Sequence, residues 1–201
     1  MSESLDDFLL EDAVPRLDLD TRVSLALLAI GEKPAASVKF MDSGKKSLIE
    51  DFLSLTDMEH LSFETEMHHK YYIARDLDRF QMLDKVEKDS PYHTARSEGL
   101  FLGYPESAVG YFVKNSRKAS QKLKNKARKM IDRNLIEEEK IYYLDLVPYI
   151  PEVSAEGIIE AVEHGRIHEK KLREYDEENN SSLGEGLLKE VFERSTPYFM
   201  R

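Results

Sequence analysis

Leu61-Ser62-Phe63-Glu64-Thr65-Glu66-Met67 alternates apolar and polar residues, and Tyr71-Tyr72-Ile73-Ala74 follows almost at once. This stretch decides between an all-helical chain and a mixed one. Strict alternation puts every second side chain on one face of a strand, and the aromatic run after it is strand-prone. The two runs predict a hairpin over His68-His69-Lys70, a turn without the Gly or Asn that usually marks one. Upstream, Val38 and Phe40 alternate with Lys39 and Met41, so a short strand is expected at 36–41, broken by Asp42-Ser43-Gly44. Downstream, Ile141-Tyr142-Tyr143-Leu144-Asp145-Leu146-Val147 reads as a buried strand closed by Pro148 and Pro151. These runs make about four strands.

Nearly everything else has helical spacing. Asp18 or Asp20 caps a helix from Thr21 to Ile30, which Gly31 stops and Pro34 keeps from resuming. Lys45 to Leu55 turns Leu48, Ile49, Phe52 and Leu53 inward. Asp76 or Asp78 opens a helix over Phe80, Leu83 and Val86. Ser90-Pro91 signals another that ends near Gly103, and Pro105 starts one that runs, with one joint, to about Arg133. Ser154 caps a helix with Ile158, Ile159, Val162, Ile167 and Leu172 on its apolar side. After the loop Asn179-Asn180-Ser181-Ser182, a last helix carries Leu187, Leu188, Val191 and Phe192 and is ended by Pro197. The expected class is α+β: a small mixed sheet covered by helices, with a helix-rich C-terminal half.

The 201 residues suit one domain or two small ones. Residues 1–17 read as an acidic arm, in which Leu5, Phe8, Leu9 and Leu10 give it something to dock with. Residues 18–201 read as a single domain whose only candidate sub-boundary lies near 88–91. With no cysteine, disulfides, thiolate metal sites and cysteine nucleophiles are excluded. No apolar run approaches the roughly 18 residues of a membrane span, and the acidic N-terminus lacks the layout of a signal peptide. A cytoplasmic protein without membrane contact is expected. A net charge of −10 sets the molecule as a whole against nucleic acid and anionic membranes.

One segment reverses that sign. Lys114, Arg117, Lys118, Lys122, Lys124, Lys126, Arg128, Lys129 and Arg133 stand against Asp132 alone, which leaves −18 on the rest of the chain. At 100° per residue, Ala119, Leu123, Ala127 and Met130 form one stripe, while Lys114, Lys118, Lys122, Lys126, Lys129 and Arg133 form another. Such a helix docks through small apolar residues and holds a cationic ridge outward, about 30 Å long. It suits an anionic partner, either nucleic acid or an acidic protein. It also suits a solvated face neutralised by Glu137-Glu138-Glu139 and other carboxylates.

Catalytic signals are sparse. No phosphate loop, dinucleotide fingerprint or Gly-x-Ser-x-Gly occurs, so no cofactor is expected. Glu64, Glu66 and His68 would share one strand face, and His164 and His168 stand four apart on a helix. Either set suits a metal, and either is explained as ordinary charged surface. His93 and Arg96, with Tyr104 and Ser107, sketch a pocket that would make the chain an enzyme of unassigned class. A third alternative is a scaffold or oligomer subunit.

Gly99-Leu100-Phe101-Leu102-Gly103-Tyr104-Pro105-Glu106-Ser107-Ala108-Val109-Gly110-Tyr111-Phe112 is the most distinctive text in the chain. With Leu146-Val147-Pro148-Tyr149-Ile150-Pro151-Glu152-Val153-Ser154, it resembles the mainly archaeal domain of unknown function 483 family. That family pairs a Gly-Tyr-Pro-x-Cys-Cys segment with a later Pro-Tyr-x-Pro-Cys-like one. The family's cysteines fall here at Ser107 and Ala108 and near Glu152 and Ala155. The resemblance therefore implies shared architecture without any chemistry those thiols supply.

Overall fold

In a computed structural model, residues 5–10, 17–41, 44–64, 68–83 and 94–199 are described, with backbone alone at 116, 117 and 196–199. Three strands form one antiparallel sheet in the order β1-β3-β2: β1 is Ala35–Phe40, β2 is Glu59–Glu64 and β3 is His69–Ala74. The hairpin expected from the alternating run is present, with Glu64 opposite His69 and Leu61 opposite Tyr72. Its register differs from the expectation, because β3 begins at His69 and absorbs two of the three expected turn residues. Phe63 anchors the otherwise exposed β2 edge-on against Tyr72, with ring centroids 5.8 Å apart.

The central strand β3 is buried on both faces. Tyr71 and Ile73, with Ala36, Val38 and Phe40 of β1, enter a core closed by four helices: α1 (Leu5–Leu10), α2 (Leu19–Ala29), α3 (Gly44–Thr56) and α7 (Leu183–Phe199). Tyr72 and Ala74, with Ala35, face a second core made by α4 (Ala95–Phe101) and a 3-10 segment over Leu77–Met82. Two arginines just beyond the sheet finish the neighbouring helices. Arg75 donates to the Leu28 and Ala29 carbonyls at the end of α2, and Arg79 to Leu100 and Phe101 at the end of α4. Gly31 and Gly103 take the left-handed conformation there, at φ +87° and +79°, which a side chain would oppose.

Local signals hold where the physics is local. Asp18 accepts from the Thr21 amide at 3.0 Å, and Ser154 accepts from Gly157 at 3.0 Å, so both caps act as expected. Thr94 caps α4, while the Ser90-Pro91 signal lies outside the described residues. The helix expected from Asp76 is instead the short 3-10 segment. The expected joint in the helix after Pro105 is absent: α5 runs unbroken from Glu106 to Ile131. Pro197 does not end the last helix, whose backbone continues to Phe199.

The main correction concerns 141–147. This run is not a fourth strand but part of a 3-10 helix over Glu138–Leu146. Ile141, Leu144 and Val147 recur every third residue and face a third core, formed with α6 (Ala155–Asn179) and the end of α5. Tyr142, Tyr143 and Leu146 face the first core. Helix α6 meets this segment through Ile158, Ala161 and Gly165 and sends Leu172 into the first core, whereas Ile159 and Ile167, expected inward, are exposed. At the chain's far end, Asp176 of α6 accepts from the Gly184 and Glu185 amides at 2.9 and 2.8 Å, satisfying the start of α7.

Candidate functional site

Helix α5 divides by residue size. Ala119, Ala127 and Met130 are fully buried, so the backbone lies close to its neighbours. Asn134, in the left-handed conformation at φ +54°, closes the helix: its amide and that of Leu135 return to Ile131 and Met130. On the outer side Lys114, Lys118, Lys122, Lys129 and Arg133 are exposed and Lys126 is half-buried. Arg133 sits in the closing turn, where a cation complements the helix dipole. Lys122 donates to Asn115 at 2.8 Å. Among the described residues, none of these six cations forms an ion pair with a carboxylate. Glu137, the start of the acidic run that follows, is held by Lys140 at 2.8 Å instead.

The inner side of α5 roofs a cleft of about 670 Å³. Val23, Leu102, Val109, Phe112, Leu144 and Val147 give it an apolar middle, and polar groups gather at its margins. At one margin, the Glu98 carboxylate accepts from Lys70 at 2.7 and 2.8 Å, from Ser37 at 3.2 Å and from Tyr72 at 3.3 Å. At another, Asp145 accepts from Ser195 at 2.5 Å, and burial pushes its carboxyl above the usual range. Arg194 pairs with Asp20 at 2.6 Å beside it.

Between these margins lies a pair the sequence does not announce. Ser24 of α2 lines the cleft, and the Lys33 Nζ donates to its Oγ at 2.7 Å. Lys33 is 4% exposed, and its Nζ stands 5.6 Å from the centre of the Tyr104 ring, which also lines the cleft. Burial alone draws its pKa down to about 7. The Tyr149 ring packs at a tilt against Tyr104, with centroids 5.4 Å apart, and its hydroxyl meets His164 Nδ1 at 2.7 Å. His168 donates from Nδ1 to the Leu146 carbonyl at 2.9 Å, and burial lowers its pKa.

The expected pocket residues do not gather as a group. Tyr104 reaches the cleft. Arg96 is exposed, 4.0 Å from Glu106, and Ser107 is exposed while its neighbours Ala108 and Val109 turn inward. His93 lies outside the described residues. Of the strand trio, Glu64 meets Lys46 at 3.8 Å and His69 at 3.6 Å, His68 belongs to no metal-ligand group, and Glu66 lies outside the described residues. His164 and His168 are engaged separately, and among the described residues no group of three or more His, Asp or Glu could hold a metal. No helix among the described residues is long and apolar enough to cross a membrane.

Lys33 escapes sequence reading because a lysine between Gly31 and Pro34 looks like a solvated loop residue. The one available signal is Ser24, a hydroxyl inside the apolar run of α2. No family model, curated protein or solved structure matches the chain.

Proposed function

We propose that the chain is a binding protein that grips an anionic macromolecule along α5, with a nucleic-acid backbone the partner its ridge suits best. The supporting observation is the lack of internal neutralisation: Lys114, Lys118, Lys122, Lys126, Lys129 and Arg133 have no carboxylate partner among the described residues. The acidic body confines the contact to the ridge, since elsewhere a polyanion meets like charge. The grip is sequence-independent, because phosphates carry the attraction and no base-reading groups are invoked.

The test is fluorescence anisotropy of a labelled single-stranded RNA, repeated with a duplex DNA and with polyglutamate. Nucleic-acid affinity is expected to fall steeply from low to moderate salt, by about tenfold or more. The triple variant Lys118→Gln/Lys122→Gln/Lys126→Gln should flatten that slope. Binding of polyglutamate alone would redirect the reading to an acidic protein partner, and no binding of either at low salt would remove it.

The same reading treats the chain as a cysteine-free relative of the domain of unknown function 483 family. In support, the two resembling segments meet at the cleft, where Tyr104 of the first touches Tyr149 of the second. Ala108, at a position the family fills with cysteine, lines that cleft.

A further inference from the structure

We propose that Ser24 and Lys33 form a serine–lysine acyl-transfer site in the wall of the inner cleft, acting on small esters with an apolar acyl group. Three cations are buried among the described residues. Arg22 is held by Glu190 and Lys70 by Glu98, each through both carboxylate oxygens. Among the described residues Lys33 has no carboxylate partner; its polar partner is the Ser24 hydroxyl. A buried ammonium without a counter-ion is costly, so the neutral amine is favoured, and a neutral amine is a base. The groups facing it are Ser24 from α2, the Tyr104 ring from the turn before α5, and His168 from α6, whose titration responds to Lys33. Ser24 lines the cleft while Lys33, which is hydrogen-bonded to it, does not, so the hydroxyl is open to the cleft and within reach of a base, as activating a hydroxyl requires. The apolar middle of the cleft supplies room for an acyl chain.

In the reactive form the Ser24 hydroxyl donates to the neutral Lys33 Nζ. Oγ bonds to the acyl carbon, and the hydroxyl proton passes to Nζ. The bond to the alcohol oxygen then breaks, and the Lys33 ammonium returns the proton to the departing alkoxide. Water attacks the acyl-serine by the same route, releasing the carboxylic acid and restoring the hydroxyl. The sum is one ester and one water to one acid and one alcohol.

The test exposes the full chain to p-nitrophenyl butyrate, following nitrophenolate release and mapping butyrylated residues by peptide mass. The expected result is a burst of release with the butyryl group on Ser24, absent in Ser24→Ala. Lys33→Met should slow the burst by at least about 100-fold while its circular dichroism is unchanged. In the native chain the burst rate should rise as pH passes through about 7, following loss of the Lys33 proton, and this rise should vanish in Lys33→Met. Adduct mapping and the pH profile use the native chain, so a poorly folding variant leaves the test intact. A native chain with no butyryl group on Ser24 overturns the proposal, as does an equal burst in folded Lys33→Met, which would leave Lys33 a packing residue.

Discussion

A buried cation is tolerable when a carboxylate meets it and expensive when none does. Arg22 and Lys70 stand on the first side of that line and Lys33 on the second. The stability consequence has a definite sign. In the unfolded chain the Lys33 amine titrates near 10.5, and in the native chain near 7. Between those values the unfolded state carries a proton that the native state lacks, so stability rises with pH across the window. Below about pH 7 both states are protonated and the full penalty stands, on the order of 5 kcal/mol. Lys33→Met keeps the volume and removes the charge. It should therefore melt several degrees above the native protein at pH 7, with the two curves converging near pH 10. Equal melting temperatures at pH 7 would show that the native amine is not desolvated.

At the scale of elements, one glycine determines how the C-terminal half packs. A Cβ on Gly165 would lie 2.1 Å from the Tyr143 carbonyl oxygen, so α6 rests directly on the backbone of the 3-10 segment. Backbone cannot yield as a side-chain tip can, and Gly165→Ala should cost about 3 kcal/mol or more in a urea titration. Gly110 on α5 is the contrast, because a Cβ there meets nothing within 4 Å. Gly110→Ala should gain roughly 0.5–1 kcal/mol by restricting the unfolded chain. If Gly165→Ala proves as harmless as Gly110→Ala, the close contact is wrong. This contact also explains what the sequence conceals. Caps such as Asp18 and Ser154 and the 59–74 hairpin are readable because a few neighbouring residues decide them. The run from Ile141 to Val147 is apolar enough for period two or three, and the residue that decides lies some twenty positions onward. The face of α6 is misread in part for a related reason: Ile158 and Leu172 turn inward as their hydrophobicity suggests, but the helix docks closely through Ala161 and Gly165, which leaves Ile159 and Ile167 exposed. The α5 ridge is written in the spacing of its lysines, whereas the Ser24–Lys33 pair exists only once the loop after α2 folds back over that helix.

For the whole molecule, closure of the core and the proposed recognition of a partner rest on opposite physics. The core is closed by joining the chain's two ends. Leu9 of α1 is fully buried, Phe8 packs 6.0 Å from Phe52 of α3, and Arg22 of α2 binds both the Leu9 carbonyl and Glu190 of α7. The acidic N-terminal stretch is thus docked through 5–10. These contacts are apolar burial and one part-buried ion pair, both poorly screened by salt. In the proposed contact the α5 ridge would meet its partner in water, where each neutralised phosphate would release counterions and added salt would compete directly. The two properties should separate in one experiment. From low to moderate salt, RNA affinity falls by about tenfold or more while the urea midpoint stays nearly constant. Leu9→Ala makes the converse change: it lowers stability by about 2–5 kcal/mol through lost burial and the cavity left behind. At a temperature where the variant remains folded, its RNA affinity and salt slope should match the native protein's. A loss of affinity in step with the loss of stability would mean that binding needs the closed core itself, and the ridge would not be the whole of the interface.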